Sequence, residues 1–180
     1  MKNHGFTLIE LLVVIGIISM LATVSTIGYG RISAKAKANK VATDFQQIKL
    51  GWEIRKNSSN ATYPSEVGGS NTDVPCFTEP AVDQTVVQSF LGDTYRDPWG
   101  IRYNYDNDGD SFVGAGAINR GVNIALHWCA GNGERYIRIA PFIDDTLDRG
   151  DGASIGKVRW DTNPAANGGI YYLIAVNQSS

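Results

Sequence analysis

The chain has 180 residues, 43% of them hydrophobic, with 18 acidic and 16 basic side chains and a formal net charge of −2. That length holds one globular domain plus a long helix, and the apolar share can build a core. No basic patch with interleaved aromatics stands out, so nucleic acid is not a predicted partner of the monomer, and with His4 near the start and His127 isolated nothing suggests zinc.

The first thirty residues carry the strongest signal. A short polar stretch ends in Gly5, and an apolar run follows, FTLIELLVVIGIISMLATVSTIG. From Leu8 to Ile27 only Glu10 is charged. About 20 apolar residues span a bilayer as a helix, and Lys2 with the initiator amine holds the start on the cytoplasmic side. A carboxylate near the centre of such a helix costs roughly 2.5–3.5 kcal/mol, so it usually has a partner and a task. A secretory signal would carry a small-residue cleavage site after its apolar core. Ser25-Thr26-Ile27 fits that poorly, and the plausible cut lies earlier, between Gly5 and Phe6.

The run Gly5-Phe6-Thr7-Leu8-Ile9-Glu10-Leu11 resembles the class III signal of type IV pilins and of the pseudopilins of type II secretion. The resemblance implies a leader, 1–5, removed by a prepilin peptidase, with methylation of the new amino terminus at Phe6. It also implies a helix, 6–27, that serves first as a transmembrane segment and then as the filament core. The physics agrees. Cleavage leaves an ammonium on Phe6, one helical turn from Glu10, and the Glu10 of one subunit can neutralise the Phe6 amine of its neighbour, turning two buried charges into one buried pair. A plain signal anchor with a snorkelling Glu10 leaves both the Gly-Phe junction and the Glu10 spacing unexplained.

Residues 28–56 continue the helix as an amphipathic stem. Ile32, Val41, Phe45, Ile48 and Trp52 are read as one face, and alanines at 34, 36, 38 and 42 favour helix. Gly28 and Gly30 weaken it and are read as a joint or a local melting point. Thr7 to Lys56 would measure about 75 Å, longer than a membrane needs, so the outer half is expected to pack on the head through Phe45, Ile48 and Trp52. The stem region 31–56 carries seven basic residues against Asp44 and Glu53, whereas 57–180 carries eight basic against fifteen acidic, a net of −7. A basic stem suits an anionic membrane surface or the acidic heads of neighbouring subunits, or is a solvated helix face.

Asn57 to Asn60 ends the helix, and 57–100 reads as a variable loop with a short helix at 82–91. It holds Cys76, and Cys129 follows in the head. An even count in an exported head reads as one disulfide, closing a loop of about 50 residues and worth some 4 kcal/mol in the chain-entropy view. The competing reading is a nucleophilic Cys129 assisted by His127, since side chains two apart on a strand share a face. The segment Asp97-Pro98-Trp99-Gly100 resembles the DPWG motif of major pseudopilins. Read physically, it is a turn in which Pro fixes φ, Gly tolerates positive φ and Trp plugs the core.

Strands are expected late, at 101–105, 122–128, 135–141, 156–160 and 170–176, where aromatic and β-branched residues dominate between glycine-rich loops. A long helix followed by clustered strands is an α+β fold with an antiparallel sheet, here the head at 101–180. Type IV pilin heads share that layout.

Two acidic loops offer oxygen ligands for calcium. In the first, Asn104, Asp106, Asp108 and Asp110 alternate around Gly109 like the start of an EF-hand loop, but Ala115 stands where the bidentate Glu belongs. The second contains Asp144, Asp145, Asp148 and Asp151 with Gly150 and Gly152. It occupies about the place in the chain where major pseudopilins hold calcium. For either loop alone, an ordinary Asp/Asn/Gly turn is the plainer reading.

The expected product is therefore a non-enzymatic structural subunit of a type IV pilus or pilus-like filament. It is anchored once in the inner (cytoplasmic) membrane with its head outside, then polymerised into a cell-surface pilus, with possible Ca2+. The alternative within the class is a periplasmic type II secretion pseudopilin. The alternative from another class is a membrane-anchored binding or enzymatic domain. The resemblance implies as partners a prepilin peptidase, an assembly ATPase, a platform protein and other pilins.

Overall fold

The computed structural model describes residues 6–59, 72–76, 95–106 and 121–176. The leader 1–5, the helix expected at 82–91 and the loop residues Asp108 and Asp110 lie outside the described residues. The chain divides into two compact units, Met1–Ala36 and Lys37–Ser180, and the helix α1 (Leu8–Ser59) contributes residues to both.

In the first unit the apolar start of α1 is exposed at Leu8, Ile9, Leu12, Ile18 and Leu21. Gly28 and Gly30, each worth roughly 1 kcal/mol against a helix, do not interrupt it. Among the described residues no helix is long and apolar enough to cross a membrane.

In the second unit α1 buries Ala38, Val41, Ala42, Phe45, Ile48 and Trp52, a recurrence of three and four that keeps one stripe inward. Phe45 stacks on Tyr172 with centroids 5.7 Å apart and meets Tyr103 edge-on at 5.4 Å, while Trp52 meets Tyr105 at 4.5 Å. Ile32 does not belong to this stripe and is 70% exposed. At about 100° per residue, the nine positions from Ile32 to Val41 place it on the opposite face.

The sheet has four antiparallel strands, β1 (Asn104–Asp106), β2 (Gly121–Trp128), β3 (Val158–Trp160) and β4 (Gly168–Val176), in the order β1-β2-β4-β3. Every residue of the inner strand β2 is buried. Its pairing with β4 shifts register between Val122 and Asn123 and runs to His127 opposite Gly169 and Trp128 opposite Gly168. A Cβ at Gly169 would lie 2.5 Å from the His127 ring, so glycine is what lets the two strands close there.

The strand expected at 135–141 is helical instead. A one-turn helix α2 (Glu134–Ile137) leads into α3 (Ala140–Asp148). Tyr136, Ile139, Ala140 and Ile143 are the buried positions, a spacing of three, four and seven that only a helix turns to one side. Pro141 sits in the first turn of α3, where its missing N–H has no intrahelical partner to lose.

Phe45→Ala is expected to lower the head's unfolding free energy by about 3–5 kcal/mol. Ile32→Ala is expected to leave it within about 0.5 kcal/mol. Urea unfolding of the detergent-solubilised chain, followed by tryptophan fluorescence, checks both.

Candidate functional site

The amino-terminal end of α1 is a capping box. The Thr7 N–H and Oγ1 both donate to Glu10 Oε2, at 2.9 and 2.8 Å, and the Glu10 N–H reaches back to Thr7 Oγ1 at 3.4 Å. Thr-x-x-Glu before an apolar run is a readable cap signal. In the sequence the isolated charge of Glu10 overshadows this signal. Phe6 precedes the cap and is 86% exposed. Gly5 lies outside the described residues.

In the head, the carboxylates of Asp144, Asp148 and Asp151 converge, each offering an oxygen within 4.8 Å of the others. Asp144 and Asp148 project from α3 four residues apart, so one face presents both. Arg149, at φ 71°, and Gly150, at φ 74°, then reverse the chain and bring Asp151 back. Asp144 is 1% exposed. Its Oδ2 accepts the Gly152 N–H at 2.9 Å, and its buried Oδ1 has no partner among the described residues. Burial pushes its pKa up, the Gly152 N–H opposes this, and the charges of Asp151, Asp148 and Asp145 add to the rise. Asp148 Oδ2 accepts the N–H groups of Lys157 and Val158. A Cβ at Gly156 would fall on the Asp148 and Asp151 carboxylates, so glycine leaves them their space.

These acids are thus split between a helix and the turn after it, rather than lying in one loop. Asp145 is exposed and stands outside the convergent group. Of the other candidate loop, Asn104 is fully buried in β1, and the Asp106 side chain lies outside the described residues together with Asp108 and Asp110.

Cys76 and Cys129 form a disulfide across 53 residues of sequence, with Cα atoms 5.7 Å apart. This removes the nucleophilic reading of Cys129. His127 is fully buried, edge-on to Tyr171 at 5.4 Å, and burial pushes its pKa down to about 3. Near Cys76, Asp73 accepts Arg102 Nε at 2.9 Å and Arg96 Nη1 at 3.0 Å. The Arg102 hydrogen bond is the main reason its carboxyl lies below the usual range.

The Asp97–Gly100 turn is as expected in its backbone. Asp97 Oδ1 accepts the N–H groups of Trp99 and Ile101, both at 2.8 Å, and Gly100 takes φ 87°. Its Oδ2 accepts the Tyr136 hydroxyl at 3.1 Å. Trp99 is not the core plug: it is half-buried, while Trp52, Trp128 and Tyr136 fill the interior. The indole meets the Tyr136 ring in an edge-to-face contact, with centroids 4.6 Å apart.

Residues 1–26 match the family model described as the prokaryotic N-terminal methylation motif. The chain is 29% identical over 109 residues to a type II secretion system core protein G of Vibrio cholerae, covering 61% of this chain and 74% of that protein. It is 31% identical over 113 residues to a type II secretion system core protein G of Pectobacterium carotovorum, covering 60% and 69% respectively. A probable minor fimbrial protein of Dichelobacter nodosus is 33% identical over 61 residues, 34% of this chain and 38% of that one. No solved structure matches.

Proposed function

This chain belongs to the family of type II secretion system core protein G, structural subunits of the pilin and pseudopilin class, and on that footing we propose that it builds the short periplasmic filament of a secretion apparatus. The supporting observation is similarity that reaches far beyond the methylation motif, over 74% and 69% of the two secretion proteins. Family membership implies self-assembly into a filament and processing by a prepilin peptidase. The family is structural and non-enzymatic.

In this reading the peptidase cuts between Gly5 and Phe6, and Phe6 is methylated. Residues 6–27 anchor the chain once in the cytoplasmic membrane with the head outside, and an assembly ATPase acting through a platform protein draws the subunit into the filament beside other pilins. Two features support this. Apolar side chains from Leu8 to Leu21 are exposed and need a cover. Glu10, meanwhile, holds its helix cap through Oε2 alone, which leaves Oε1 for the ammonium of a neighbour's Phe6. A surface pilus is the second reading, favoured by the fimbrial relative and the head disulfide.

Asp144, Asp148 and Asp151 fit a calcium ion. Three carboxylates with hard oxygen donors converge, and one of them, Asp144, has a buried oxygen without a partner among the described residues, which is costly unless a cation meets it. The bound ion supplies charge neutralisation and a brace between the end of α3 and the loop before β3.

Glu10→Ala is expected to abolish filaments while leaving a folded, disulfide-bonded head, as scored by electron microscopy and non-reducing electrophoresis; normal filaments from this variant would contradict the reading. Calcium is expected to raise the thermal midpoint of the wild-type chain by several degrees and to leave that of Asp148→Asn with Asp151→Asn unchanged. Equal responses of the two would remove the metal site.

A further inference from the structure

Beside the disulfide the head carries a cavity of about 310 Å³. That is the small end of ligand-sized cavities, roughly 300–1,000 Å³, and it suits one small reagent. Asp73, Val74 and Pro75 form part of its wall, and Cys129, Arg135 and Tyr136 form another part. Cys76 follows Pro75 but does not line the cavity. Both cysteines are half-buried. The cavity therefore reaches the disulfide from its Cys129 side.

The two charged side chains of this wall act differently. Asp73 Oδ2 accepts the Arg102 N–H at 3.1 Å, Arg102 Nε at 2.9 Å and Arg96 Nη1 at 3.0 Å. Thr72 Oγ1 accepts Arg102 Nη2 at 2.7 Å, and Val74 is buried. These contacts seat the segment leading to Cys76 in addition to the S–S bond. Arg135 is fixed by Tyr136, whose hydroxyl accepts its Nη2 at 3.1 Å and whose ring lies 4.8 Å from its Cζ. The guanidinium stays charged. A cation near a cysteine favours its thiolate, and it draws an anionic reagent into the cavity.

We propose that this cavity is a thiol–disulfide exchange site for a small anionic thiol of the glutathione class, with Cys129 as the sulfur that reacts and Asp73 as the positioning residue that keeps Cys76 in place to close the bond. The inference is independent of the filament reading. In the closing direction, the Cys129 thiolate attacks glutathione disulfide, an S–S bond to Cys129 forms, and one glutathione thiolate leaves. The Cys76 thiolate then attacks Cys129 Sγ and expels the second glutathione thiolate. Two electrons pass from the protein thiols to the glutathione disulfide. Opening runs through the same mixed disulfide, with a glutathione thiolate attacking Cys129 Sγ and Cys76 leaving as the thiolate.

The test uses the full chain in detergent. Reduced wild-type chain is mixed with glutathione disulfide, quenched with acid at intervals and mapped by mass spectrometry, which needs no variant. Glutathione is expected on Cys129 at least about tenfold more often than on Cys76. In Arg135→Gln, attachment is expected to slow about tenfold with anionic glutathione disulfide and no more than about twofold with cationic cystamine. Asp73→Asn is expected to leave attachment unchanged and to slow closure of the mixed disulfide about tenfold. Glu53→Gln, which breaks the ion pair to Lys49, is expected to close at the wild-type rate. Glutathione found on Cys76 as often as on Cys129 overturns the choice of sulfur. Equal slowing of both reagents in Arg135→Gln overturns the anionic class, and unchanged closure in Asp73→Asn overturns the positioning role.

Discussion

One helix face set against one sheet organises the head. Phe45 stacks on Tyr172 and meets Tyr103, and Trp52 meets Tyr105, so α1 is held by aromatic contacts to β1, β4 and the segment before β1. One position before Phe45, Asp44 accepts the Tyr103 hydroxyl and Lys40 Nζ, both at 2.6 Å. Lys40 also donates to the Arg96 carbonyl at 2.6 Å, which ties the stem to the turn that precedes the sheet. Everything else in the head is positioned relative to that seam.

Buried carboxylates show how differently such groups are resolved. Asp97 is desolvated, which raises its pKa, yet two backbone N–H groups and the Tyr136 hydroxyl occupy both of its oxygens. Asp161 receives the Gly169 N–H and the Tyr171 hydroxyl, both on Oδ2. At Asp97 the hydrogen bonding is complete and has a structural role. Asp144 has a donor on one oxygen only and faces two further carboxylates. The calcium site proposed for this cluster rests on that contrast.

Much of this was legible in the residues. Phe45, Ile48 and Trp52 announced their helix face, four of the five strand segments fell where β-branched and aromatic residues cluster, and the cysteine count pointed to the observed disulfide. The segment 135–141 misled because RYIRIA reads as a strand in composition, whereas its burial period is helical and is visible only once Tyr136 is seen to face Asp97. Asp145 neighbours Asp144 in sequence but not in the cluster, because adjacent helical positions diverge by about 100°. The residue type of Trp99 favours burial, yet the indole is half-buried. Whether an indole or another ring occupies a given space is a packing outcome that local sequence does not encode.

The proposed function turns on cleavage after Gly5 and polymerisation through the helix that follows. Intact mass and amino-terminal fragmentation of the protein in filaments sheared or purified from its native cells test this most directly. The predicted result is a chain beginning at methylated Phe6 and two hydrogens short of its reduced mass. A cell-bound chain that keeps residues 1–5 and never enters a filament would contradict it.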